Sequence, residues 1–549
     1  MEYTPFMEHK DHKLKMFVPM TSEEIKARGW NGLDILFISG DAYIDHHSFG
    51  VPLLARYLMH KGYKVGIISQ PKTAEDIKKL GEPKLFIGIG TGVVDSMINN
   101  YTADKKPRRD DQYSEGGKGG TRPDNAGVEY SKMARQAFPN SFIIGGGVEI
   151  SLRRLSHYDY WQNKVLPSIL ITGSYNLVIY GMAEHPSLEV CKALEKNDKK
   201  NLYKIRGVAY LSSKQDSRSI NNRLILPSHE EVSGDKKKFL RTTLLYMEQS
   251  NPLNAKTLVQ DYRNKSVVIN PPSLPLTESE MDEIYDLDFT KEQHYSYKEK
   301  IPALEMIQNS ISINRGCFGG CTFCALTLHQ GKIVQSRSKG SVVKEVQKLT
   351  NKNSFKGIIS DLGGPTANMY KLSCKDIEKQ KICIRTSCLY PNICKNLNTD
   401  HSEQIELLEA VSKINGVRRV FIASGVRYDL ALCDKKYLKK LISDHVSGQL
   451  KVAPEHNDEE VLALMGKPSF KTFLEFRELF YQISKSVNKE QYIVPYFISA
   501  FPGTTSSKMK VLETWLRKEN WKLQQVQNFI PLPMTLASAM YWSELDYKT

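Results

Sequence analysis

From Asp34 onward, short apolar runs alternate with longer amphipathic stretches: DILFISG, VPLLARYLMHKGY, KVGIIS, then KLFIGIG, SFIIGGG and NLVIYG. The short runs are rich in β-branched and aromatic residues and bounded by Gly or Ser, which predicts buried strands, whereas the longer segments predict helices that cross between them. Strand and helix in alternation make a parallel sheet, so the chain to about residue 205 is predicted to be Rossmann-like α/β. Inside it, YTADKKPRRDDQYSEGGKGGTRPDN (101–125) is too rich in Gly, Pro and charge for a regular element. It is either a loop that reaches over a neighbouring site or a mobile surface loop. Residues from about 200 to 305 are mixed and polar, and NPPSLPLTESE (270–280) reads as a boundary or extended connector.

The alternation resumes at Ile311 with NSISINRG, KGIISDLGG, KICIRTS, RRVFIASG, GQLKVAPEH, QYIVPYFISAFPG and VQNFIPLP, several of them separated by amphipathic segments such as KTFLEFRELFYQISKSV. Repeated β/α units predict a closed or partial (β/α) barrel with its chemistry at the carboxyl ends of the strands. The expected organisation is therefore α/β throughout: an N-terminal domain over residues 10–300, Rossmann-like and then a mixed connector, and a barrel core over residues 303–549.

Composition changes this picture little. With 40% apolar and 25% charged residues over 549 positions, the chain has the makeup of a globular protein of two or three domains. No run of about eighteen apolar residues occurs, and MEYTPFMEHKDHKLKMF (1–17) carries charges where a signal peptide is apolar, so the reading is cytoplasmic with no membrane span. A formal charge of +15 favours polyanions such as RNA, although dispersed lysines also serve solubility. The cysteines matter more. There are nine, and seven fall between Cys317 and Cys394. A disulfide framework is even in number and spread through a small secreted domain, so this clustering points to metal.

Cys317, Cys321 and Cys324 stand in NRGCFGGCTFCALTLHQG directly after a predicted strand, at the mouth of the predicted barrel. Their i, i+4, i+7 spacing would suit one face of a helix, but Gly319 and Gly320 each cost a helix about 1 kcal/mol. A loop wrapped round a ligand fits better. Three thiolates do not close a zinc tetrahedron without a distant fourth ligand; on a 4Fe-4S cube they leave one iron open.

The C-x3-C-x2-C spacing with Phe323 before the last cysteine resembles the signature of the radical SAM superfamily. GDAYIDHHSFG, RRLSHYDYW, SDLGGPTANMY, ASGVRYD, KVAPEH, YFISAFPGT and VQNFIPLP resemble the YgiQ-type radical SAM family over nearly the whole chain. The resemblance implies a 4Fe-4S cluster on the three cysteines, S-adenosylmethionine chelated at the open iron, reductive cleavage to a carbon radical, and a reductant such as flavodoxin or ferredoxin. It also implies that Gly363 and Gly364 contact the methionyl part of the cofactor, with Arg427 and Glu455 near its carboxylate and amine. The sequence ends on AMYWSELDYKT (539–549), whereas family members continue, so a late strand, lid or partner surface is expected to be missing.

Cys374, Cys383, Cys388 and Cys394 form a second group, suited to a second metal, iron-sulfur or zinc, or to free buried thiols. Cys191 and Cys433 read as isolated structural residues. Asp45, His47 and Gly50 satisfy D-x-H-x-x-G, a cobalamin pattern in some radical SAM proteins, but three residues at loose spacing are weak, and the reading is against cobalamin. RRLSHYDYW (153–161) suits either a planar or anionic substrate or aromatic packing between domains. The substrate is left unidentified, with RNA one candidate. The rival reading is a non-enzymatic zinc- or RNA-binding protein whose cysteines staple loops.

Overall fold

The computed structural model describes residues 14–521 and 526–548. Residues 10–13 and 549 at the ends of the two expected domains, and most of the charged stretch 1–17, lie outside the described residues.

The N-terminal domain is built on β1 (Ile35–Ser39), β2 (Val65–Ser69), β3 (Phe86–Gly90), β4 (Ile143–Gly146), a small hairpin of β5 (His157–Asp159) and β6 (Lys164–Leu166), then β7 (Leu177–Ile179), β8 (Val208–Ser213), β9 (Arg223–Leu226), β10 (Thr257–Tyr262) and β11 (Lys265–Ile269). One nine-stranded sheet takes all but the hairpin, in the order β2-β1-β3-β4-β7-β8-β11-β10-β9. The first five are parallel. Both faces of β1 and β3 are buried under helices, which is why they read as unbroken apolar runs.

The stretch that reads as a mixed connector instead supplies β8 to β11 of this same sheet. Antiparallel pairing joins β7 to β8, β8 to β11 and β11 to β10. Its strands escape a hydrophobicity reading because their polar side chains are buried and satisfied. Gln260 accepts from the Ser156 N–H at 2.9 Å and donates to the Pro227 carbonyl at 3.0 Å. Loop 101–125 is likewise anchored: Arg122, buried, donates to the carbonyls of Thr91 and Val94 and to Asp41 at 2.7 Å.

The second domain runs through β12 (Ser310–Ser312), β13 (Asn314–Arg315), β14 (Gln335–Ser336), β15 (Ile358–Ile359), β16 (Asp361–Gly363), β17 (Arg419–Val420), β18 (Gln449–Glu455), β19 (Tyr492–Ser499) and β20 (Val526–Asn528). Parallel pairs β12–β16, β15–β17 and β18–β19–β20 form the staves of a partial barrel. Helices Lys339–Thr350, Ser402–Ser412 and Phe470–Ser486 are among those that cover its outside. Phe473, Phe476 and Phe480, at helical spacing, are fully buried beneath the last of these. KICIRTS (381–387) is not a strand: it ends a short helix and enters a loop that leaves Ile382 and Ile384 exposed. Among the described residues no helix is long and apolar enough to cross a membrane.

The domains are joined by a buried charge cluster. Glu345, on helix Lys339–Thr350, contacts Arg337, receives Lys291 at 2.5 Å and accepts from His47 Nε2 at 3.0 Å. Burial opposes its charge, but Lys291, Arg337 and His47 prevail and hold its carboxyl well below the usual range. Since the folded form ionises more readily than the unfolded one, this stabilisation is complete above the ordinary glutamate range and is lost as pH falls through the depressed value. Glu345→Gln should cost about 3–5 kcal/mol by stranding buried cations. Urea unfolding of the full chain at neutral pH, followed by tryptophan fluorescence, measures that loss; an unchanged midpoint would contradict it.

Candidate functional site

The three signature cysteines sit on a loop whose path is set by backbone contacts. β13 pairs antiparallel with β14, and Gly316 (φ +85°) then turns the chain; a side chain there would stand 2.8 Å from the Ile333 carbonyl. The Cys317 N–H bonds Gly331 O at 3.1 Å, and Thr322 ties the loop to Met465 and Leu464 with bonds of 3.0 and 2.8 Å. At Gly320 (φ +64°) a Cβ would meet the Thr386 carbonyl at 2.4 Å. Cys317 is buried, Cys321 and Cys324 are partly so, and none is in a disulfide.

Charge is scarce around these thiols. Burial first, then the neighbouring Cys321, pushes the Cys317 thiol up. Burial with Cys321 and Cys317 pushes Cys324 up to about 12. The nearby cation is Arg427, whose Nη1 donates to Cys321 Sγ at 3.4 Å. Its Nε and Nη2 form a fork to Asp429 at 2.9 and 2.6 Å, which sustains its charge against burial. The sequence expectation pairs Arg427 with a cofactor carboxylate; here its fork is filled by Asp429, two residues on, and its free edge faces a thiol.

The other expected residues gather round the same mouth. Gly363 ends β16 and Gly364 follows it; side chains there would fall 2.0 Å from Ser424 Oγ and 2.6 Å from Asn314 Oδ1. Asn368, in the same motif, holds the Arg427 backbone through two bonds of 2.8 and 2.9 Å. Glu455 closes β18 with φ +70°, buried, its carboxyl pushed up by burial against Lys467 at 3.8 Å. Phe323 packs edge-on to Phe501 at 6.2 Å against the barrel core.

The second cysteine loop lies directly against the first. Cys388 N–H bonds Phe318 O at 3.0 Å and Ser387 Oγ donates to Gly319 O at 2.7 Å. Burial pushes Cys388 up to about 11, with the charges of Cys394 and Cys383 adding and Lys332 opposing. Cys374 donates its thiol to Asp376 O at 3.3 Å. Among the described residues, no group of three or more Cys, His, Asp or Glu side chains is already placed to hold a metal ion. Lys332, close to this second group, is a residue sequence reasoning misses.

In the N-terminal domain, Asp45 is taken by Arg56 at 3.0 Å and by the Thr290 N–H at 2.8 Å, and His47 by Glu345. Burial pushes His47 down to about 4, so it is neutral. Much of RRLSHYDYW packs: Arg153 pairs with Asp95, and Tyr158 and Tyr160 lie 5.9 and 6.0 Å from the Tyr541 ring of the core domain, while Arg154 lines a separate small cavity with Tyr180 and Tyr246. Between the domains, at the carboxyl ends of β1, β3 and β4, is a cavity of about 490 Å³ whose lining includes Asn314, Arg315, Glu184 and His329, none of them singled out by sequence. Only the position of Asn314 and Arg315 just before the cysteine loop hints at a role.

The family profile described as Radical SAM N-terminal matches residues 17–310, and that of the Radical SAM superfamily matches residues 311–514. A UPF0313 protein of Rhodopseudomonas palustris is 44% identical over 553 residues, covering 96% of this chain and 82% of that protein. One of Methanocella arvoryzae is 46% identical over 527 residues, covering 95% and 88%. Among solved structures, the radical S-adenosylmethionine methyltransferase TsrM of Kitasatospora setae is similar at TM-score 0.49 and 12% identity, over 91% of this chain and 74% of that one. The cobalamin-dependent S-adenosylmethionine radical enzyme OxsB is similar at 0.49 and 11%, over 95% and 57%. Both of those enzymes have been solved with a cobalamin bound. Likeness this low says nothing of the ligands of this chain, and the expectation against cobalamin has no support from it. The rival non-enzymatic reading gives way to the family match. With the two profiles meeting at residue 310 and relatives more than two-fifths identical along nearly its whole length, the chain belongs to the UPF0313, or YgiQ-type, family of radical SAM enzymes.

Proposed function

We propose that Cys317, Cys321 and Cys324 hold a 4Fe-4S cluster and that S-adenosylmethionine binds across Gly363 and Gly364, to be cleaved reductively in the service of an unidentified substrate. The observation that carries this reading is the set of three thiols, free of disulfides, on one glycine loop beside a single guanidinium. A donor set so short of compensating charge suits a group that brings its own positive charge. When bound, such a cluster supplies a low-potential electron and an iron with an open position.

The chain's own residues do the rest. Gly316 and Gly320 let the loop close round the ligand, and the Gly319 N–H donates to Cys317 Sγ at 3.4 Å. Thr366 Oγ1 lies 3.7 Å from the same sulfur. Arg427 places a donor on Cys321, and Asp429 and Asn368 fix its orientation. Gly363 and Gly364, against which Ser424 and Asn314 pack too closely for any side chain, are proposed to meet the cofactor carboxylate through their backbone. The electron comes from a small reductant protein of the flavodoxin or ferredoxin type. The group Cys374, Cys383, Cys388 and Cys394, packed on the first loop, is proposed as a second iron-sulfur site.

Anaerobic reconstitution should load about four irons per chain if only the Cys317 group binds and about eight if the second group does too. Cys321→Ala should abolish release of 5′-deoxyadenosine from S-adenosylmethionine in the presence of dithionite; unchanged release would contradict the assignment. Arg427→Gln removes a positive donor from a cluster sulfur, so its reduction potential, read by electron paramagnetic resonance during a redox titration, should move to more negative values. A potential equal to that of the parent protein would show that Arg427 does not act on the cluster.

A further inference from the structure

The cavity of about 490 Å³ between the domains lies where an α/β sheet reverses its strand order, between β1 and β3, which is where ligands bind in open parallel sheets. Its size is that of a small-molecule site. Phe37, Phe49, Leu53, Phe86 and Ile144 give it apolar walls on one side. The opposite wall is made by Ala325 and Leu326, which follow Cys324, and by Gly364 and Pro365.

Four of its lining side chains are more than nine-tenths buried and carry polar atoms with no partner: Asn314 Nδ2 and Oδ1, Arg315 Nη2, Glu184 Oε2 and His47 Nδ1. Buried polar groups are normally paired, and the gathering of several such groups on one cavity points to a binding site. Their chemistry is specific. Arg315 Nη1 contacts Glu184 Oε1, so the two charges cancel while Arg315 Nη2 and Glu184 Oε2 are left without partners. Asn314 offers a second donor and acceptor. His47 donates through Nε2 to the ionised Glu345, which leaves its Nδ1 as an acceptor. Asp41, the other carboxylate in the lining, is satisfied by Arg122 and the Val93 N–H.

We propose that this cavity binds a planar, uncharged heterocycle that presents an N–H beside a carbonyl, as a lactam ring does, and that it is the substrate chamber of the enzyme. A neutral donor–acceptor edge matches the orphaned set without importing charge, and a lining that includes Phe37, Phe49 and Phe86 suits a ring system. The role as substrate chamber rests on the cluster reading above; the binding of a heterocycle does not. Such a ring is available as a free metabolite or as an unstacked base of RNA.

The test uses the anaerobically reconstituted full chain and two fluorescent probes, lumazine, which has the lactam edge, and 1,3-dimethyllumazine, in which methyl groups block the N–H positions. Lumazine should bind about tenfold more tightly or better. Asn314→Leu keeps the side-chain shape and removes both orphaned atoms, so it should weaken lumazine by about tenfold, leave the dimethyl probe unchanged and not lower the melting temperature. Equal affinity for the two probes, no saturable lumazine binding into the millimolar range, or a variant that binds like the parent would overturn the proposal. So would displacement of lumazine by stoichiometric S-adenosylmethionine, since the cavity would then be the cofactor's seat. Displacement by a short single-stranded RNA supports the cavity assignment with a base of RNA as the source; lumazine binding that RNA leaves intact supports it with a free heterocycle. Iron content and 5′-deoxyadenosine release on the same preparation report the cluster reading separately, so either can fail while the other stands.

Discussion

Three thiols on one loop, one buried and two partly so, with a single guanidinium beside them, are the constraint round which the core domain is arranged. Removing a thiolate from water is costly unless positive charge replaces the lost solvation. Burial and mutual repulsion accordingly keep the free thiols of Cys317 and Cys324 protonated. Arg427 cannot offset three of them, because Asp429 already neutralises it. The proposed cationic iron-sulfur ligand would resolve this imbalance, and the glycines of the loop would make room for it.

A second electrostatic arrangement places the N-terminal sheet over that loop. Glu345 draws His47 from one domain and Lys291 and Arg337 from the connecting and core segments to one carboxylate. The carboxyl ends of β1, β3 and β4 thereby face the residues that follow Cys324, and the space between is the cavity. The sheet's switch point is thus turned toward the loop of Cys317, Cys321 and Cys324, and on the proposals above a ligand site and a reactive centre would share one chamber. The aromatic contacts of Tyr158 and Tyr160 with Tyr541 add a packed seam at the far side.

Much of this is legible in the chain. The runs at 35–39, 65–69 and 86–90 are strands because a parallel sheet covered on both faces favours apolar residues throughout, with a polar one only at the ends, as at Ser39 and Ser69. The cysteine spacing is equally plain, since a metal site imposes residue type and separation directly. The sheet's extension through β8 to β11 is hidden because Gln260, Asp261 and Ser266 are polar yet paired inside the fold. KICIRTS misleads in the opposite sense, with alternating apolar residues that find no partner strand and stay exposed. The Arg315–Glu184 pair joins residues 131 positions apart, a distance at which no local pattern operates. Arg427 and Asp429 are closer, in R-Y-D, but only the fold shows that the carboxylate turns back on the guanidinium.

The most direct measurement of the central claim is Mössbauer spectroscopy of protein reconstituted with ⁵⁷Fe, before and after addition of S-adenosylmethionine. The account predicts that one iron site of a 4Fe-4S cluster changes its isomer shift when the cofactor is added, because that iron has no cysteine of its own. A spectrum in which every iron is sulfur-ligated and indifferent to the cofactor would contradict it.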